Sequence, residues 1–130
     1  GATVIDDCYN ANPGSVRAAI AMLAGCEGRR TLLLGAMREL GPTSEALHRE
    51  IGDVARDAGI ERFWGVGPEL RTAVDAFGSG ATWFDDCNSA ISALPGEFNT
   101  DDTVLIKGSR GARMERVLHA LLAMAPAGEG

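Results

Sequence analysis

Asp6-Asp7-Cys8-Tyr9-Asn10-Ala11-Asn12-Pro13 puts two carboxylates and two carboxamides between a short apolar run and a helix start. Carboxylates accept from sugar hydroxyls and carboxamides both donate and accept, so the set suits the polar part of a nucleotide. Val4 and Ile5 read as the end of a buried strand, and Asn12 before Pro13 reads as an N-cap with proline in the first helical position. The polar loop therefore lies at the carboxyl end of a strand, where open α/β sheets bind ligands and helix N-termini favour anions. Capping alone accounts for many an Asp or Asn before a helix. Asn12 can serve as that cap, which leaves Asp6, Asp7 and Asn10 for another use, while the Tyr9 ring could stack on a base or cover the strand end.

A second group is cationic. The chain holds eleven arginines and one lysine, and that lysine opens Lys107-Gly108-Ser109-Arg110-Gly111. Lys107 is a point charge, Arg110 a planar fork for carboxylate or phosphate, and the glycines let backbone N–H groups face an anion. A third loop, Leu34-Gly35-Ala36-Met37-Arg38-Glu39-Leu40-Gly41-Pro42-Thr43-Ser44, follows another apolar run. His48 reads as a surface or cleft-rim residue without a role, His119 as a boundary residue, and Arg113 and Arg116 as solvated helix positions.

These loops need strands and helices to hold them. Short apolar runs at Thr3 to Asp6, Arg30 to Gly35, Arg62 to Val66, Thr82 to Phe84 and Thr103 to Lys107 alternate with helical patterns. Helices are expected from Pro13 to about Ala24, from about Thr43 to Ala58 with Leu47, Ile51, Val54, Ala55 and Ala58 inward and Gly59 as its stop, and from Pro68 to Phe77. A fourth runs from Cys87 to Leu94 with Asp86 as cap, and a fifth buries Met114, Val117, Leu118, Leu121 and Leu122. The pattern predicts an α/β fold: a Rossmann-like, open, mostly parallel sheet with helices on both faces, so that the three loops meet at one edge.

With 130 residues the chain is expected to form one domain over 1–124, large enough to fold without staples, with a frayed tail over 125–130. The net charge of -6 argues against nucleic acid. Cys8, Cys26 and Cys87 are far apart with no C-x-x-C pair, which argues against a zinc site and for a reducing cytoplasm. No apolar run reaches the roughly 18 residues of a membrane span. Gly1-Ala2-Thr3 enters a strand without an initiator methionine, as a piece of a longer chain would.

Taken together, Asp6 to Pro13, the Leu34-Gly35-x-Met37-x-Glu39-Leu40-Gly41-x-x-Ser44 loop with His48, and Lys107-Gly108-Ser109-Arg110 resemble the three signatures of the C-terminal domain of Mur ligases. The resemblance covers Val4 to about Leu122. It implies the third domain of a monomeric, cytoplasmic bacterial enzyme of peptidoglycan synthesis, whose central domain holds magnesium and the ATP phosphates and whose N-terminal domain holds a uridine nucleotide. In the branch it most resembles, ATP phosphorylates the terminal carboxylate of UDP-N-acetylmuramoyl-tripeptide, and the amine of D-alanyl-D-alanine attacks the acyl phosphate. By this resemblance Asp7 binds the ATP ribose, Tyr9, Asn10 and Asn12 line the same pocket, and Lys107, Ser109 and Arg110 hold the incoming dipeptide or the reaction intermediate, with Arg110 facing a carboxylate. It requires no covalent nucleophile and no metal ligand here, and the domain alone is expected to be inactive. Two positions depart from the family pattern: Cys8 stands where serine is usual, and Ala36 where aspartate is usual.

Two other readings compete on the residues alone. A phosphorelay receiver would use Asp6, Asp7 and Lys107, but the third strand ends in Gly65-Val66-Gly67 with no phosphoacceptor Asp. A dinucleotide module would use Gly65-Val66-Gly67-Pro68, which lacks the third glycine of the fingerprint.

Overall fold

A computed structural model describes residues 3–8 and 11–124. Tyr9, Asn10 and the expected tail over 125–130 lie outside the described residues.

Leu32, Leu33 and Leu34 show how the sequence builds the core. In a strand successive side chains face opposite ways, and here Leu32 and Leu34 join one apolar cluster while Leu33 joins the other. The same split separates Leu105 from Val104 and Ile106, and Phe63 from Trp64. A strand buried on both faces must belong to a sheet covered on both sides. Burying one such leucine side chain contributes about 1.5–3 kcal/mol.

The strands are β1 (Thr3–Asp7), β2 (Arg29–Leu34), β3 (Arg62–Val66), β4 (Ala81–Phe84) and β5 (Asp102–Lys107). They form one sheet in the order β1-β5-β2-β3-β4, and every pairing is parallel. Helices α1 (Pro13–Ala24), α2 (Ser44–Asp57) and α3 (Arg71–Phe77) pack on one face; α4 (Cys87–Ala93) and α5 (Glu115–Met124) pack on the other. The sheet order makes β5 return between β1 and β2. Chain leaving β1 and β2 turns to one face and chain leaving β5 turns to the other, which opens a crevice at their carboxyl ends.

The caps follow the sequence. Asn12 Oδ1 accepts the Ser15 N–H at 2.9 Å, and Ser15 Oγ accepts the Asn12 N–H at 3.0 Å, a reciprocal capping box with Pro13 in the first turn. Asp86 Oδ1 likewise accepts the Ser89 N–H at 2.8 Å to start α4. Ala58 is the last residue of the α2 end, and Gly59 leaves it with φ +83°.

Three expectations require correction. The buried residues of α2 are His48, Ile51, Gly52 and Ala55, so its inward stripe is rotated from the one expected and takes in His48, while Leu47, Val54 and Ala58 flank it half-buried. Gly52 allows this rotation, because a Cβ there would come within 2.1 Å of the Ala73 carbonyl oxygen on α3. On α5 the inward stripe is Val117, Leu118 and Leu121; Leu122 lies one step round the helix and is exposed. The helices expected from Thr43 and Pro68 each begin instead with a 3-10 turn, at Gly41–Thr43 and Pro68–Leu70.

Candidate functional site at the carboxyl edge

Asp6 and Asp7 point to opposite sides of β1, and their surroundings differ. Asp6 Oδ1 accepts the Cys8 N–H at 3.2 Å, a local turn that explains this carboxylate without a ligand. Asp7 pairs in register with Lys107 on β5, and the Lys107 ammonium donates to Asp7 Oδ2 at 2.5 Å. Lys107 is 1% exposed and Asp7 44%. The lysine thus backs the carboxylate from inside the fold, and Asp7 keeps one side toward solvent. Asn12 sits at the start of α1 with its side-chain oxygen engaged in the capping box.

Beyond Lys107 the β5 loop crosses the β2 loop. Gly35 N–H donates to the Lys107 carbonyl at 2.8 Å, and Ser109 N–H donates to the Ala36 carbonyl at 3.1 Å. The crossing requires glycine on both strands: a Cβ at Gly108 would meet Met114 Cγ at 2.6 Å and Gly35 Cα at 3.3 Å. Ser109 is thereby turned inward, 5% exposed, and among the described residues its hydroxyl has no hydrogen-bond partner. A buried hydroxyl left unpaired is destabilising unless something else satisfies it.

Ser109 lines a cavity of about 710 Å³. Its walls come from the carboxyl ends of four strands: Ala36 to Gly41 after β2, Val66 to Glu69 after β3, Asp85 to Cys87 after β4, and Ser109, Gly111 and Ala112 after β5. Its cations are Arg38 and Arg116. The Arg38 guanidinium lies against Gly111, where a Cβ would come within 2.7 Å of Nη1. Arg116 donates to Asn88 Oδ1 at 2.5 Å. Glu39, Glu69, Asp85 and Asp86 add carboxylates, so the cavity can meet a zwitterion with both signs of charge.

The expected meeting of loops is thus wider on one side and narrower on the other. The β2 and β5 loops converge and the β3 and β4 ends join them; the β1 loop connects through the Asp7–Lys107 pair, with Tyr9 and Asn10 outside the described residues. Arg110 is exposed and is not among the lining residues. Sequence reading missed Arg38 and Arg116. Arg38 lies inside the Leu34 to Ser44 loop already singled out, so its place was open to discovery; Arg116 reads as an ordinary solvated helix residue until α4 packs beside it.

Cys8 and Cys87 are buried thiols, not poised nucleophiles. Burial, reinforced by Asp6, pushes the Cys8 thiol up to about 12, and burial also raises Cys87. Cys8 Sγ lies 4.0 Å from the Ile106 carbonyl, a packed setting for the residue that replaces serine. Among the described residues no group of three or more His, Cys, Asp or Glu side chains could hold a metal ion, and no helix is long and apolar enough to cross a membrane.

The architecture and the sequence both have relatives. A family model described as Mur ligase, glutamate ligase domain, matches residues 1–110. UDP-N-acetylmuramoyl-tripeptide--D-alanyl-D-alanine ligase of Escherichia coli (strain K12) is 42% identical over 120 residues, which cover 91% of this chain and 26% of that protein. The protein of the same name from Mycobacterium tuberculosis (strain ATCC 25618 / H37Rv) is 34% identical over 148 residues, covering 95% and 29%. Among solved structures, MurF ligase from Thermotoga maritima in complex with ADP superposes with a TM-score of 0.79 at 29% identity, covering 91% of this chain and 27% of that one. MurF from Acinetobacter baumannii gives 0.83 at 27% identity, covering 92% and 27%. The chain thus spans little more than a quarter of the length of these relatives. It belongs to the Mur ligase family and corresponds to the family's C-terminal, glutamate ligase domain.

Proposed function

We propose that the full-length protein is an ATP-dependent ligase of peptidoglycan synthesis that joins D-alanyl-D-alanine to UDP-N-acetylmuramoyl-tripeptide. This domain supplies part of the ATP site and the seat of the incoming dipeptide. The similarity to ligases of that name supports the reaction, and the ADP complex of the Thermotoga maritima relative supports the nucleotide. The observation that carries the reading is an adjacency. One strand end, Lys107 to Ser109, backs Asp7 on one side and turns an unpartnered hydroxyl into a cavity on the other.

In this reading Asp7 accepts from the ribose hydroxyls, Tyr9, Asn10 and Asn12 are assigned to the same nucleotide by the family resemblance, and Lys107 holds the Asp7 carboxylate in place. Ser109 donates its hydroxyl proton to the dipeptide carboxylate, and Arg38 and Arg116 supply positive charge around it. Arg110, at the mouth of the same loop, meets the carboxylate as the domains close. The dipeptide amine attacks the acyl carbon, a C–N bond forms, phosphate leaves, and the amine loses a proton. The attacking group belongs to the substrate, so the domain acts by positioning and electrostatics. Mg2+ and the ATP phosphates are assigned to the central domain of the full chain, since this chain contains no G-x-x-x-x-G-K-[ST] loop. The isolated domain is then inactive, and the enzyme works in the cytoplasm, where ATP is made.

Asp7→Ala in the full-length ligase tests the nucleotide half. Loss of a hydrogen bond to a charged group should raise the ATP KM about tenfold or more while leaving the dipeptide KM within about twofold. An unchanged ATP KM would remove Asp7 from the site. ADP release that needs both muramoyl-tripeptide and D-alanyl-D-alanine tests the reaction itself; release driven by another amino acid would move the protein to a different branch of the family.

A further inference from the structure

His48 sits on α2, fully buried, with each ring nitrogen on a backbone group. The Met37 N–H donates to Nε2 at 3.0 Å, so Nε2 carries no proton. The neutral ring must then be protonated on Nδ1, which donates to the Ser44 carbonyl at 2.8 Å. The Met37 N–H belongs to the same peptide group as the Ala36 carbonyl, and that carbonyl accepts the Ser109 N–H at 3.1 Å. The two bonds lie on opposite ends of one planar unit. Together they make an unbroken line: Ser109 N–H to Ala36 carbonyl, Met37 N–H to His48, His48 to Ser44.

We infer that His48 is a positioning residue for Ser109: through the Ala36–Met37 peptide it orients the loop that presents the Ser109 hydroxyl to the cavity. The physical grounds are three. Each bond in such a line polarises the next and strengthens it. The peptide plane is rigid, so fixing its N–H fixes the direction of its carbonyl. The site lies in the interior, where an unpaired Met37 N–H would carry the desolvation penalty of a lost partner and the loop would turn to find another. Met37, Ala36 and Ser44 also line the cavity, so any such turn alters its wall. In this line Ala36 takes part through its backbone carbonyl.

The inference rests on the reading of Ser109 as a dipeptide contact, and the experiment separates the two. Three variants of the full-length ligase are compared with the parent: Ser109→Ala, His48→Leu and His48→Gln. Ser109→Ala should raise the KM for the dipeptide about tenfold with the ATP KM unchanged. His48→Leu, which has the bulk and no acceptor, should reproduce that dipeptide effect with the ATP KM and kcat within about twofold. His48→Gln, whose side-chain oxygen can accept the Met37 N–H, should recover most of the loss. Nitrogen-15 histidine spectra of the parent should show Nδ1 protonated and Nε2 bare. A normal dipeptide KM in Ser109→Ala would overturn the site reading. A raised KM in Ser109→Ala with a normal one in His48→Leu would overturn the relay alone. If His48→Leu does not fold, failure of His48→Gln to bind better than a cavity-altered control such as Ser109→Ala, or an Nε2-protonated ring in the parent, would overturn it equally.

Discussion

The two edges of the sheet are built to opposite rules. At the amino edge, charged side chains are engaged with one another. Arg29 makes two bonds to Asp102, at 2.8 and 2.7 Å, and a third to the Glu97 carbonyl. Arg30 holds both oxygens of Glu61, and Arg62 bonds Thr31 and Glu97 while lying 4.5 Å over the Phe98 ring. At the carboxyl edge, among the described residues, Ser109 has a hydroxyl without a partner and both non-glycine residues with positive φ occur, Glu39 at 61° and Arg113 at 56°. Strain and unsatisfied polar groups persist where the surrounding structure enforces them, and they concentrate at functional sites. The difference teaches which end of a parallel sheet carries stability and which carries chemistry.

Substitutions at the two edges should therefore fail differently. Asp102 is almost fully buried and also accepts the Asn99 N–H, so Asp102→Ala should lower stability by about 2–3 kcal/mol, the exposure of Arg29 limiting the loss. Ser109→Ala, at the other edge, should leave stability unchanged or raise it by up to about 1 kcal/mol, because among the described residues its buried hydroxyl has no partner to lose and its removal lifts a desolvation cost. Urea unfolding of both proteins would break the contrast if the two losses were equal.

Arg113 sharpens it further. Its left-handed backbone costs an L-residue about 1 kcal/mol, so Arg113→Gly should be neutral or more stable by up to that amount in thermal unfolding. A clear loss would mean that the Arg113 side chain supports the loop.

The smallest effect belongs to Glu61. Arg30 holds its carboxyl at about 2, below the ordinary 4.5. A depressed folded-state value means that the stabilisation is complete above the unfolded value and disappears as pH falls from about 4.5 toward 2. Glu61→Gln should flatten the acid-induced fall in urea midpoint across that window, modestly because Glu61 is 43% exposed. An identical slope in the two proteins would show that the pair contributes nothing.

The elements were legible because their signals are local. Asn12-Pro13, Asp86 and Gly59 mark helix ends by chemistry within a few residues, and the apolar runs at Leu32 to Leu34 and Val104 to Ile106 need no partner to be recognised as buried strands. Asp7, Lys107 and Ser109 stood out for the same reason, as unusual residue types beside strand ends. His48 did not: its neighbours Arg49 and Glu50 are surface residues, and a stripe taken one residue out of phase leaves it at the rim.

By itself, then, the sequence determined the alternating α/β pattern, the strand ends that bear polar loops, and the family. Tertiary structure alone decided that Lys107 backs Asp7 and that Ser109 faces a cavity shared with Arg38 and Arg116. It also decided that His48 reaches Ser109 through one peptide group. Local patterns encode hydrogen bonds within a turn and the face a side chain presents. Contacts between residues a hundred positions apart depend on β5 inserting between β1 and β2, and on the parallel register that sets Asp7 opposite Lys107.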